Sequence, residues 1–343
     1  MSEMKAFEAA TTAPRTKRIR PAAPQSVSEQ AQRMLSLPDA MSTPSYPDHT
    51  DTSGWLALVE SIDNVVRPFY EVTMPPRESF TVTESRVGQI SNYVIRPLHV
   101  AEEASTPIFI EIHGGGLYAG GGELAWMAGA AHAVDRAGLT WAPDYRMPPL
   151  HPFPTALDDL LEVYRAALEL CHPSQILVSG ASGGGNLAAA LILRIKDAGL
   201  PVPAALVLLT PEVDLTESGD SFLVNDGIDN LLTSLMPVNL LYANGVDLAH
   251  PHVSPLFGDL SGFPPTLLQS GTRDLFLSNT VRMHRALLAT GTEAELHIWE
   301  AMPHGGFGGT TPEDDELRAE VRRFEAIQLA RASATPREDY EAS

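Results

Sequence analysis

The stretch Gln175-Ile176-Leu177-Val178-Ser179-Gly180-Ala181-Ser182-Gly183-Gly184-Gly185-Asn186-Leu187-Ala188-Ala189-Ala190 admits few folds. An apolar run of strand length ends in a serine held between glycines, and a run of small helix formers follows. Read as strand, tight turn and helix, it lifts the Ser182 hydroxyl clear of the backbone at the top of a sheet. Strand and helix then pass so close at Gly180 and Gly184 that bulky side chains do not fit.

The rest of the chain repeats this alternation. Ser79–Ser85 and Ser91–Arg96 read as two alternating strands that pair antiparallel. Short apolar strands follow at Ile108–Ile112, Leu139–Ala142, Ile176–Ser179, Ala205–Leu209, Thr266–Gln269 and Leu296–Trp299. Between them lie helical stretches near Leu124–Arg136, Thr155–Leu170, Gly183–Asp197 and Thr280–Ala289, and Glu313–Leu329 closes the series. Short apolar strands separated by helices imply an α/β class with a mostly parallel eight-stranded sheet and helices on both faces. Ligands of such sheets sit at the carboxyl ends of the strands.

Three further motifs fall at those ends. His113-Gly114-Gly115-Gly116 follows the apolar run Pro107–Ile112 and leaves backbone N–H groups uncovered by side chains. Such groups can face a developing negative oxygen, where removing one donor costs ~2.7–4 kcal/mol of transition-state stabilisation. The alternatives are a flexible loop or a phosphate-binding turn, and the second is disfavoured because no Gly-Lys-Ser/Thr follows. Gly271-Thr272-Arg273-Asp274-Leu275 follows the strand-like Pro265–Ser270, and its Asp is placed to orient an imidazole. By itself it reads equally as a cap for a helix beginning near Asn279, or as a solvated carboxylate. Met302-Pro303-His304-Gly305-Gly306-Phe307 follows the alternating Glu295–Glu300, so His304 alone of the eleven histidines stands between a Pro and glycines in a loop at a strand end. A free serine hydroxyl is a poor nucleophile and needs such a base and acid. The chain order Ser, Asp, His differs from that of the chymotrypsin and subtilisin arrangements.

The HGGG run, the segment Asp144-Tyr145-Arg146-Met147-Pro148-Pro149-Leu150-His151-Pro152-Phe153-Pro154, the Gly180–Leu187 elbow and the Met302–Phe307 loop resemble the hormone-sensitive-lipase family of α/β-hydrolases. The resemblance runs from about residue 26 to 331. Within the family, His252–Leu260 and Gly271–Asn279 look most like bacterial ε-lactone hydrolases. The resemblance implies the α/β-hydrolase fold with a helical lid. It makes Ser182 the nucleophile, His304 the base, Asp274 the orienting acid, and Gly115, Gly116 and Gly183 the oxyanion donors. The implied activity is hydrolysis of small to medium apolar esters or lactones, with no metal or organic cofactor.

Departures from the family pattern bear on rate and preference. Ala181 and Gly183 stand where the family has Asp before and Ala after the nucleophile. Leu150 replaces a usual Glu, and Ser278 a frequent second acid. A backbone N–H survives at Gly183, but the extra glycine loosens the elbow.

The lid is expected from two regions. Ser26-Val27-Ser28-Glu29 reads as a capping box opening a helix with Ala31, Met34 and Leu35 on one face. A second helix opens near Asp51–Ser53 and carries Trp55, Leu58, Val59, Ile62 and Val66 at helical spacing. Between Asp214 and Pro251 the alternation breaks, with Leu215–Asn225 loop-like and Leu231–Tyr242 an apolar helix. Leu117, Tyr118, Phe222, Leu232 and Leu240 then line an acyl or alcohol pocket, or simply pack. The expected organisation is a disordered tail over 1–25, lid helices over 26–76, a catalytic domain over 77–331 with its second lid segment at 214–251, and a tail over 332–343.

The 343 residues are 44% hydrophobic, yet no run approaches the ~18 apolar residues that span a bilayer. Arg15, Lys17, Arg18 and Arg20 precede no apolar segment, so a secretory signal is not expected. A single cysteine, Cys171, fits a reducing cytoplasm. The net charge of −20 opposes nucleic acid and anionic membranes as partners. His250 and His252 lack a third nearby metal ligand, so no metal site is expected. The edge strand near 296–299 is a candidate homodimer contact. Two rival readings share the fold. One is a non-catalytic receptor, known among plant proteins resembling this family that lose the histidine kept here as His304; the other is an amidase using the same three residues.

Overall fold

Every residue of β3 (Ile108–Ile112), β6 (Ala205–Leu209) and β7 (Thr266–Gly271) is buried, because both faces of these strands are covered. The computed structural model describes residues 20–37, 45–101 and 106–334. With β1 (Phe80–Val87), β2 (Ile90–Pro97), β4 (Leu139–Asp144), β5 (Ile176–Ala181) and β8 (Ala294–Trp299), these strands form one eight-stranded sheet in the order β1-β2-β4-β3-β5-β6-β7-β8. The β1–β2 and β2–β4 pairs are antiparallel and the remaining pairs parallel. The chain therefore has the α/β-hydrolase fold expected of it. β8 lies at the sheet's edge.

Successive side chains on these strands serve opposite layers. Ile108, Ile110, Val178, Leu206 and Leu208 meet α4 (Thr155–Leu170) and α5 (Gly183–Asp197) through Leu160, Tyr164, Leu191 and Ile195. Phe109, Leu177, Val207 and Leu267 meet Val321 and Phe324 of α9 (Pro312–Ala334). The same face buries an ion-pair network. Arg136 bonds Glu111 of β3 at 2.8 Å and Glu325 of α9 at 2.6 Å, and Ser179 also donates to Glu111.

The regions expected to form a lid differ in detail from expectation. α1 spans Glu29–Leu35, and its cap is Ser28, whose hydroxyl accepts from Ala31 N. The reciprocal carboxylate is supplied from far along the chain, not by a Glu three residues on. Glu313 accepts from Ser28 N at 2.6 Å and from Ser28 Oγ at 2.8 Å. α2 spans Thr52–Thr73 behind its Asp51 cap. Trp55, Leu58, Val59 and Ile62 pack against Phe222, Leu232, Leu235, Val238 and Phe276, while Val66 lies outside that cluster.

The apolar helix expected at Leu231–Tyr242 is shorter, α7 spanning Met236–Ala243. Residues 231–235 turn instead around polar side chains, with Asp229 and Glu217 accepting their N–H groups. A short helix, α6 (Ser221–Val224), interrupts the expected loop. Of the expected tails, residues 1–19 and 335–343 lie outside the described residues. Residues 20–25 are described, and Arg273 donates to the carbonyls of Pro21 and Ala22 at 3.2 and 2.8 Å. Among the described residues no helix is long and apolar enough to cross a membrane.

Candidate active site

β5 runs into α5 through a single strained residue. Ser182 has φ 57° and ψ −124°, a conformation that L-residues rarely adopt and that recurs at functional turns. The turn is held on both sides: Ser182 N donates to Leu209 O at 2.9 Å, while Ser182 O accepts from Gly185 N at 3.0 Å. The glycines are needed for close approach. A Cβ at Gly180 would lie 2.2 Å from Gly184 O, and one at Gly184 would lie 2.2 Å from Ile112 O.

Beyond β8, the loop carrying His304 returns over this elbow. His304 Nε2 lies 2.9 Å from Ser182 Oγ, and Nδ1 lies 3.1 Å from Asp274 Oδ1. A carboxylate only accepts, so Nδ1 carries the ring proton and the Nε2 lone pair faces the serine hydroxyl. Asp274 follows β7 and is fully buried. Its Oδ2 accepts from Ser270 Oγ at 2.6 Å, and its Oδ1 also accepts from Phe276 N at 2.9 Å. Asp274 contacts the imidazole and the Phe276 N–H just before α8 (Leu277–Ala289), but it does not cap that helix, whose N-cap is Phe276 with no side-chain cap hydrogen bond. The Phe276 ring stands edge-on to His304 with centroids 4.9 Å apart.

The glycine loop after β3 packs on the elbow. Gly115, Gly116 and Leu117 have φ of 119°, 59° and 68°. A Cβ at Gly183 would lie 2.8 Å from Leu117 N and 3.3 Å from Gly116 C, which places these three backbones side by side. The loop is anchored by its polar neighbours. His113 donates from Nδ1 to Gly114 O at 2.8 Å and stacks on Tyr145 at 4.2 Å, and burial holds its pKa below the usual imidazole value. Asp63 of α2 accepts from Gly120 N at 2.8 Å, and Asp144 from N of Gly122, the N-cap of α3 (Glu123–Ala133), at 2.9 Å.

These elements have counterparts in known proteins. The α/β-hydrolase-fold family matches residues 109–307, more than half of the chain. The chain belongs to the α/β-hydrolases. Its relatives include the acetyl-hydrolase of Streptomyces hygroscopicus, 32% identical over 246 residues that cover 71% of this chain and 79% of that protein. Among solved structures, the esterase E25 superposes with a TM-score of 0.77 at 34% identity, covering 93% of this chain and 98% of that one. An esterase from the bacterial hormone-sensitive-lipase family superposes at 0.74 with 26% identity, covering 88% and 99%. These similarities put the α/β-hydrolase described here on the hormone-sensitive-lipase branch.

Of the expected pocket residues, Tyr118, Phe222 and Leu232 share the cluster under α2, and Leu240 packs at its margin. Leu117 does not join them; it packs into the main core beside α5. His250 and His252 are neighbours with rings 5.5 Å apart, and His252 pairs with Asp197 at 2.9 Å. Among the described residues no group of three or more His, Cys, Asp or Glu side chains is arranged to hold a metal.

Two further residues touch this site without a motif to mark them. Asp229 and Asn225 lie in the Asn225-Asp226-Gly227-Ile228-Asp229 segment, whose composition is that of a solvated loop. Both are buried, Asp229 to 3% exposure. Asn225 Nδ2 donates to Asp274 O at 2.8 Å, and the Asp229 carboxylate accepts from Leu275 N at 2.9 Å and from His304 N at 3.2 Å.

Proposed function

We propose that this α/β-hydrolase cleaves carboxylic esters, small to medium and largely apolar, lactones among them, through an acyl-enzyme on Ser182. The observation that carries the reading is the line of contacts from Ser182 Oγ through His304 to Asp274. In the first step the Ser182 oxygen bonds to the ester carbonyl carbon as its proton passes to His304 Nε2. Asp274 holds the ring and stabilises the imidazolium. The negative charge that develops on the carbonyl oxygen is met by the N–H groups of Gly115, Gly116 and Gly183. The tetrahedral intermediate expels the alcohol, which takes the proton from His304. Water, deprotonated by the same imidazole, then attacks the acyl carbon; the second tetrahedral intermediate breaks its bond to Ser182 Oγ, which takes the proton back from His304 as the carboxylic acid leaves.

The relatives support an ester substrate, since they are named acetyl-hydrolase and esterase. The apolar preference rests on Tyr118, Phe222, Leu232 and Leu240 beneath the lid formed by α2 and residues 214–251. The lactone component rests on the likeness of His252–Leu260 and Gly271–Asn279 to ε-lactone hydrolases. The single cysteine supports a cytoplasmic site of action, and the β8 edge a homodimer.

A panel of 4-nitrophenyl esters of increasing acyl length, a set of lactones and a 4-nitroanilide tests the reading against Ser182→Ala. The wild type turns over short esters and lactones faster than the anilide, and Ser182→Ala loses ester turnover while staying folded. Retained hydrolysis by that variant would contradict the assignment.

A further inference from the structure

We infer that Asp229 is a positioning residue for this reaction: its buried carboxylate ties the backbone of the acid loop to the backbone of the base loop. The inference rests on the proposed esterase reading, in which Asp274 must hold His304 against Ser182. Asp229 Oδ1 accepts from Leu231 N at 2.8 Å and Leu232 N at 3.1 Å, which fixes the carboxylate to its own turn. Its Oδ2 accepts from Leu275 N at 2.9 Å and His304 N at 3.2 Å. These two donors belong to the residue after the orienting acid and to the base itself. One oxygen therefore spans the two loops across which the 3.1 Å contact between Asp274 and His304 is made.

The base loop needs such a tie. Gly305 and Gly306 follow His304 with φ of 74° and 89°, Pro303 precedes it with no N–H to donate, and so the His304 N–H is a fixed point on an adaptable segment. Asn225, four residues before Asp229, ties the other side of the acid loop through Asp274 O.

Only a carboxylate can do this with four donors. Each oxygen offers two lone pairs, whereas an amide in the same place would turn NH₂ hydrogens toward two of the N–H groups. The arrangement is kept against an electrostatic cost. Burial, and then the negative charge of Asp274, push the Asp229 carboxyl up to about 6. A second carboxylate beside the orienting acid would be poorly placed if it only filled space.

The test compares wild type, Ser182→Ala, Asp229→Asn and Asp229→Ala in steady-state hydrolysis of 4-nitrophenyl butyrate. Labelling by a fluorophosphonate probe is measured in parallel. Ser182-dependent turnover in the wild type secures the esterase reading first, so its failure would be seen separately. Asp229→Asn then lowers kcat by about 10- to 100-fold, the scale expected when catalytic groups are misplaced by up to an ångström. KM stays within about twofold, and fluorophosphonate labelling slows by the same factor as kcat. Asp229→Ala, if it folds, loses at least as much. A kcat within about twofold of wild type in folded Asp229→Asn, or a loss carried by KM with kcat unchanged, overturns the inference.

Discussion

Ser182 and His304 are 122 residues apart in the chain and 2.9 Å apart in space. The distance closes because each follows a strand of the same largely parallel sheet, and parallel strands deliver their C-terminal loops to one edge. Asp274, after β7, arrives at that edge too. Asp274→Asn keeps the size of the side chain but no longer fixes the Nδ1–H tautomer. We expect kcat to fall by about 10³- to 10⁴-fold, as in other hydrolases of this chemistry, with the fold retained. Steady-state kinetics with a 4-nitrophenyl ester, beside a circular dichroism spectrum, checks both parts.

Gly183 is the departure from the family pattern whose consequence the structure makes concrete. The methyl group in Gly183→Ala would meet Leu117 N at 2.8 Å and the Leu117 side chain at 3.2 Å. In the first turn of α5, alanine is otherwise favoured over glycine by about 1 kcal/mol. The variant should therefore lose melting temperature, the overlap with the Leu117 backbone outweighing the helix preference, while kcat falls by about 10-fold or more, because the loop that carries the Gly115 and Gly116 donors is pushed away. Thermal melts and kcat measured on one preparation separate the two effects.

The strand positions were legible because hydrophobic runs and helices alternate over the whole chain, and Ser182, Asp274 and His304 because each stands in a strand-end motif. The segments expected to form a lid were less so. Leu231–Leu235 continues the apolar pattern of α7, but Pro237 in the first turn of α7 lacks the N–H that would carry the helix back, and the remote Asp229 and Glu217 carboxylates take N–H groups of the residues before it. Glu29 looked like the partner of a local capping box, yet Glu313 takes that place from 285 residues away. Asp229 escaped notice for the same reason, since its partners at 275 and 304 are remote in sequence.

Arg136 compensates two buried carboxylates at once, Glu111 and Glu325, and all three side chains are at most 6% exposed. Arg136→Met leaves both charges unpaired and should destabilise the protein by about 3–5 kcal/mol. Replacing Glu111 and Glu325 by Leu in the same background should recover most of that loss. Urea unfolding of the single and triple variants provides the comparison, and equal stability of the two would refute it.

Glu212 is fully buried, and burial followed by the neighbouring charge of Glu217 pushes its carboxyl up to about 8 from an ordinary 4.5. Between these values the folded protein holds a proton that the unfolded chain releases. Its stability contribution therefore declines as pH rises from about 4.5 to 8, then levels off. Glu212→Gln removes this dependence. Its stability relative to wild type should grow between pH 5 and pH 9 by on the order of a few kcal/mol. Parallel melting curves for the two proteins across that range would contradict the prediction.

The central claim is that an acyl group passes through Ser182, and the most direct measurement is the site of covalent capture. Fluorophosphonate-treated protein, digested and mapped by mass spectrometry, should carry one adduct, on the peptide containing Ser182, and His304→Ala should form it far more slowly. An adduct on another residue, or none at Ser182 in protein that hydrolyses esters, would contradict the account.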